Sequence, residues 1–115
     1  MTDRELLELA AKAAGLPVDM TNEGGIGWFA CGKSGGGETV WWNPLKSDGD
    51  ALRLAVKLRL ACDFSEDDID VISWAGESGA LTGEADNGDR QSCARRAIVR
   101  AAAEIGRAAL AQEGP

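Results

Sequence analysis

Apolar positions recur at helical spacing in three stretches of the chain. In the first stretch, the Thr2 hydroxyl and the Glu5 carboxylate form a capping box, and Gly15 followed by Pro17 is typical of a helix end. The apolar positions between these signals repeat every three or four residues: Leu6, Leu9, Ala10 and Ala13. We therefore predict a first helix with one face toward a core.

The second and third stretches predict two more helices. The second runs from about Ala51 to Leu60, and either Asp48 or Asp50 can cap it. Because its apolar residues cover more than half of its circumference, we expect this helix to be more buried than the first. The third helix, 90–111, has a stripe of small and branched residues: Ala94, Ile98, Ala101, Ala102, Ile105 and Ala109.

Alternating and β-branched runs predict the strands. Residues 26–31 and 39–42 flank a glycine-rich segment, 32–37, which indicates a β-hairpin. Symmetric pairing across that loop would place Trp28 opposite Trp41. One strand is predicted at 69–74, with weaker strands near 61–64 and 80–82.

These elements give one fold class. Their order is α-β-β-α-β-β(-β)-α, and the hairpin-type connections favour a mainly antiparallel sheet covered by helices. We predict an α+β fold, an α/β/α sandwich-like single domain over residues 1–115, with an ordered core of about 2–111. A chain of 115 residues fits one domain.

Composition excludes several function classes. The chain has 12 basic and 19 acidic residues, a net charge of −7, and no histidine. The acidity disfavours nucleic acid, and the lack of histidine removes the commonest general base and metal ligand. Three widely spaced cysteines, no signal sequence and no membrane-spanning apolar run predict a cytoplasmic protein without membrane contact.

One motif matches a nucleotide-binding pattern but lacks its context. Residues 27–34, which include Lys33, fit the P-loop string G-x-x-x-x-G-K-S. The four intervening residues are typical of a strand, however, and Gly35, Gly36 and Gly37 do not begin a helix. We interpret the segment as a hairpin turn.

Metal, cofactor and catalytic sites are not expected. The acidic segment 63–70 lacks the spacing of a calcium loop, and the cysteines form no C-x-x-C pair. A serine or cysteine nucleophile would also need a base other than histidine. The sequence therefore predicts a non-enzymatic protein.

Tryptophans and arginines are the candidate binding residues. Adjacent Trp41 and Trp42 must point to opposite faces of a strand, so one can enter the core. The other needs a helix, a ligand or a second subunit to cover it, and we take Trp28 and Trp41 as interface candidates. Arg95 and Arg96 lie where a helix N-terminus disfavours cations. They need either carboxylate partners, such as Asp48 and Asp50, or an anionic ligand. The ligand-binding candidates are Lys33, Trp42, Asn43, Asp48, Asp50, Arg95 and Arg96.

Three stretches together resemble a known family. They are Trp42-Asn43-Pro44-Leu45, residues 48–58 and residues 95–105. The chain is similar, from its first helix to about residue 106, to the phage ABA sandwich domain proteins. This resemblance implies a sheet between helical layers, a phage or prophage source and expression inside a bacterial cell. The family's role is largely uncharacterised, and it implies no catalytic site.

Two functions remain open from the sequence. The first is a non-enzymatic phage or prophage accessory protein that acts by self-association or by binding a host or phage protein. The alternative is a protein that sequesters a nucleotide or another small anion in a counter-defence role. In that alternative a base stacks on tryptophan while Lys33 or Arg95 binds phosphate.

Overall fold

Among the residues that the structure describes, three helices and five strands follow one another in the order that the sequence predicts. The computed structural model describes residues 2–18, 28–33, 35–64, 68–73, 80–85 and 89–112. The elements are α1 (Asp3–Ala14), β1 (Phe29–Lys33), β2 (Thr39–Trp42), α2 (Asp48–Leu58), β3 (Ala61–Phe64), β4 (Asp68–Ser73), β5 (Ala80–Ala85) and α3 (Arg90–Gln112). The α+β class is confirmed, and the described strands form two antiparallel sheets, β1–β2 and β3–β4–β5.

Local capping chemistry sets both ends of α1. The Glu5 backbone N–H donates to Thr2 Oγ1 at 3.2 Å, as the capping box predicts. At the other end Gly15 adopts a left-handed conformation (φ 67°), and its N–H contacts the carbonyls of Ala11 and Lys12. Glycine adopts this conformation without a Cβ clash, so the predicted helix end is confirmed.

Small residues bring α1 and α3 close together. Ala10, Ala101 and Ala102 are fully buried in the common core, and the two helices pack against each other. A Cβ placed on Gly106 would lie 2.0 Å from the carbonyl oxygen of Leu9. The alanine-rich stripe of α3 therefore determines how closely the two helix backbones approach.

The second helix differs from its prediction in two respects. Its N-cap is Ser47, whose Oγ accepts the Asp50 N–H at 3.2 Å, so neither Asp48 nor Asp50 is the cap. The prediction that α2 is more buried than α1 is also wrong, because Leu52 is 63% exposed and Val56 is 69% exposed. The apolar surface of α2 is wider than the surface that α3 and the core cover.

The β1–β2 hairpin pairs in a different register from the symmetric one. Phe29 pairs with Trp42 and Ala30 with Trp41, with an irregularity between Ala30 and Lys33. The predicted pairing of Trp28 with Trp41 is therefore wrong by two residues. A shift of two keeps each side chain on its expected face, because strand faces alternate with a period of two. Trp42 is buried and Trp41 is exposed, as adjacent strand positions require.

The second sheet packs one face on α3. Cys62 pairs with Val71, and Phe64 pairs with Ile69, so these four side chains share a face. Val71 and Ile69 are buried, and α3 packs against β4 and β5. Phe64, on the edge strand β3, is 58% exposed. The helix layer thus covers the middle of this sheet face and leaves its β3 side open.

Candidate functional site

Four of the seven predicted ligand-binding residues lie in or beside the turn between β2 and α2: Trp42, Asn43, Asp48 and Asp50. Asp50 is buried, and its carboxylate accepts the Asn43 backbone N–H at 3.0 Å and the Arg53 Nη2 donor at 2.5 Å. Asn43 is also buried, and its Oδ1 accepts the Leu45 N–H at 2.9 Å. Both side chains therefore hold the turn in shape, since their oxygens accept from the chain's own donors.

Arg95 connects this turn to the beginning of α3. Its Nε donates to the Leu45 carbonyl at 2.9 Å, and its Nη1 donates to Asp48 Oδ1 at 2.5 Å. The side chain is only 18% exposed. Of the two carboxylate partners considered for Arg95, the structure pairs it with Asp48, whereas Asp50 pairs with Arg53.

The other predicted cation positions lie apart from this turn. Arg96 donates to Asp3 on α1 at 3.2 Å, across an exposed surface. Lys33 is the last residue of β1, and its side chain lies outside the described residues, as do Gly27 and Ser34. The residues Phe29, Ala30 and Cys31 of the P-loop string belong to β1, which pairs antiparallel with β2. The segment therefore has the hairpin context and not the strand-loop-helix context of a P-loop.

The tryptophans are divided between the core and the surface. Trp42 is 4% exposed and belongs to the main core, whereas Trp41 is 38% exposed on the opposite face of β2. Trp28 is half-buried, and Trp74 lies outside the described residues. Trp41 remains a candidate interface residue on that opposite face.

A first cavity lies between the end of α1, the β1–β2 hairpin and α2. We call it the Trp42 pocket. Its volume is about 310 Å³. Its apolar lining consists of Ala14, Leu16, Cys31, Val40, Trp42 and Leu54, and its polar lining consists of Asp50, Arg53 and Lys57. Two predicted site residues, Trp42 and Asp50, line this cavity, and Arg95 is not among its lining residues.

A second concave surface lies above the open side of β3. Two adjoining cavities of about 320 Å³ and 330 Å³ share Phe64, Gln91 and Ala94. We call the apolar part of the cavity of about 320 Å³ the β3 groove, defined by Leu52, Ala55, Cys62, Phe64, Ala94 and Ile98. The Asp48–Arg95 ion pair borders it. Sequence patterning did not single out Leu52 or Phe64; the only signal was the wide apolar surface of α2.

The cysteines in these two cavities are weak nucleophiles. Burial raises the pKa of Cys31 above its ordinary value of 9.0; the Asp50 charge raises it further, while Arg53 opposes the shift. Burial also raises the pKa of Cys62. Both thiols are protonated at neutral pH, and a protonated thiol is a poor nucleophile and metal ligand.

The described residues contain no grouping of acidic, cysteine and histidine side chains that could hold a metal ion. The predicted acidic segment is only partly described, since Glu66 and Asp67 lie outside the described residues. Within the described part of the chain, each helix is too short or too polar to cross a bilayer. No family model matches the chain, and neither a curated protein nor a solved structure shows significant similarity to it.

Proposed function

We propose that this chain is a non-enzymatic binding protein whose β3 groove associates with a second copy of the chain. The observation that carries the proposal is the pair of large apolar side chains, Leu52 and Phe64, exposed in one concave surface. Contiguous exposed apolar surface of this kind is typical of protein–protein contact sites. The resemblance to phage ABA sandwich proteins adds an accessory role in the cytoplasm of a bacterial host.

The edge position of β3 supports a second copy as the occupant. In the sheet order β3–β4–β5, one side of β3 has no neighbouring strand among the described residues. Proteins usually protect such an edge with charged side chains, especially lysine, with proline, with a bulge or by keeping the strand very short. The four residues of β3 are Ala61, Cys62, Asp63 and Phe64, so its protection is limited to its short length and the Asp63 carboxylate. Antiparallel pairing of two β3 strands would continue the sheet through a two-fold axis.

Charge favours one register for this pairing. The two-fold axis can centre on Cys62 or on Asp63 while the groove side chains of both copies stay on one face. Centring on Asp63 would place two carboxylates directly opposite each other, which is unfavourable. Centring on Cys62 places the two thiols opposite each other instead. The proposed dimer therefore pairs Cys62 with Cys62 of the second copy.

The site chemistry supports binding without catalysis. Arg95 already donates to Asp48 and Leu45, Asp50 already accepts from Asn43 and Arg53, and the Cys31 and Cys62 thiols are protonated. The anion-binding alternative at Arg95 gains no specific support from this geometry. Binding of a small anion is better supported at the Trp42 pocket.

Sedimentation velocity over a concentration series tests the proposal. We expect a reversible dimer at tens of micromolar, and we expect salt to strengthen it, because each copy carries −7. Phe64→Glu should weaken the dimer at least about tenfold, since a charge would enter an apolar interface. Leu110→Glu is the matched control, because Leu110 is also exposed but lies near the end of α3. A wild-type monomer at every concentration would contradict the proposal, as would an equal effect of Leu110→Glu.

Cys62 provides an independent test of the register. Oxidation with diamide should link two copies through Cys62, since opposed residues of antiparallel strands have Cβ atoms about 4.5–5.5 Å apart and a small shift reaches the roughly 3.5–4.5 Å of a disulfide. The linked dimer should disappear in Cys62→Ser and persist in Cys31→Ser. A linked dimer that instead depends on Cys31 would exclude the β3 edge as the contact.

A further inference from the structure

The Trp42 pocket has the size and the apolar lining of a small-molecule binding site. Its volume of about 310 Å³ lies at the lower end of the range for such sites, roughly 300–1,000 Å³. Trp42, Leu54 and Leu16 are among its apolar lining residues, and both Trp42 and Leu54 belong to the buried core. The pocket is therefore a shaped apolar cavity of the folded chain.

Cations dominate the charged groups that line this cavity. Arg53 and Lys57 lie one helical turn apart on α2, and both are exposed. Like charges at this spacing repel each other on a helix. Asp50 is the single carboxylate among the described lining residues, and its oxygens accept from Arg53 and the Asn43 N–H. The described lining thus carries a net charge of +1 in a chain whose total is −7.

We propose that the Trp42 pocket binds a small amphipathic anion, with its apolar body against Trp42 and Leu54 and its anionic head group on Lys57 and Arg53. Cation-to-anion hydrogen bonds are the stronger kind, and the apolar wall beside the two cations can take up the apolar body of the same molecule. The neutral Cys31 thiol in the wall, protonated because burial raises its pKa, does not repel such a head group. This site is separate from the β3 groove and does not depend on the proposed dimer.

Three eight-carbon probes with one chain length and different head groups test the proposal. Octanoate is anionic, octanol is neutral and octylammonium is cationic. Calorimetric titration should give octanoate an affinity at least about tenfold above octylammonium, because a charged hydrogen bond is replaced by repulsion. Lys57→Gln should weaken octanoate about tenfold and leave octanol unchanged. Arg107→Gln, at an exposed position of α3, is the matched control and should change neither.

Thiol labelling locates the bound probe. Cys31 lines the Trp42 pocket, whereas Cys62 lies in the β3 groove. Octanoate should slow maleimide labelling of Cys31 and leave labelling of Cys62 unchanged, as read by peptide mass spectrometry. Equal affinity for octanoate and octylammonium, no binding at millimolar octanoate, or protection of Cys62 alone would each overturn the proposal. Because Phe64→Glu should retain Cys31 protection, failure of the dimer would leave this result intact.

Discussion

Replacement of Gly106 by alanine should destabilise the protein at the α1–α3 contact. The added Cβ would lie 2.0 Å from the Leu9 carbonyl oxygen and 2.8 Å from the Leu9 carbonyl carbon. Real Cβ atoms essentially never approach closer than 3.0 Å, so the helices must move apart by about 1 Å. The obstructing atoms belong to backbone and cannot rotate away. Overpacking of this kind costs about 3 kcal/mol at the upper end of its usual range.

Helix propensity opposes this cost only in part. Alanine is better than glycine within a helix by about 1 kcal/mol, which leaves a net loss of about 2 kcal/mol. For a chain of this length, that loss corresponds to a decrease in Tm of roughly 8 °C. Gly49→Ala is the matched control, because a Cβ there lies 3.3 Å from a side-chain atom, the exposed guanidinium of Arg53, and meets no backbone. It should raise or preserve stability.

Thermal unfolding monitored by circular dichroism measures both variants. If Gly106→Ala melts at or above the wild-type temperature, the close approach of α1 and α3 is not as described. If Gly49→Ala loses as much as Gly106→Ala, the loss reflects glycine replacement in general and not the Leu9 contact.

Two further predictions concern the turn and the cysteines. Arg95→Met should destabilise the protein by about 1–2 kcal/mol in urea unfolding, because it removes the donor to the Leu45 carbonyl and to Asp48. Arg107→Met is the control: it loses only an exposed pair with Glu104 and should cost less than about 1 kcal/mol. Equal losses in the two variants would contradict a stabilising role of Arg95 at the turn. Because folding raises the pKa of Cys31 and Cys62, their contribution to stability is present below pH 9.0 and is lost as the pH rises from there through the raised folded pKa values. The double variant Cys31→Ser/Cys62→Ser should flatten this alkaline decline in the free energy of unfolding, and an unchanged decline would assign it to other groups.

Short-range chemistry explains why much of the fold could be predicted. The ends of α1 depend on Thr2 and Gly15, whose effects operate within four residues along the chain. The alternation that separates Trp41 from Trp42 is a property of any strand. These features need no knowledge of distant neighbours.

The features that sequence patterning missed depend on long-range geometry. Ser47 caps α2 in place of Asp48 or Asp50 because Asp50 turns inward to the Asn43 N–H and Asp48 outward to Arg95. Glycine-rich loops specify register weakly, which explains the two-residue shift in the hairpin. The exposure of Leu52 and Phe64 depends on where α3 crosses the sheet, and apolar periodicity along one helix or strand does not reveal this.

The connection between α2 and β3 has a consequence for how recognition can change. Only Arg59 and Leu60 separate the two elements, and Arg59 ends α2 in a left-handed conformation with φ 56°. One wall and the floor of the β3 groove therefore come from a single stretch, residues 48–64. Mutations at its exposed positions Leu52 and Phe64 can alter which surface the groove accepts while the core and the alanine-rich contact of α1 with α3 stay unchanged. The binding specificity of the groove and the thermal stability of the fold can therefore change independently in this chain.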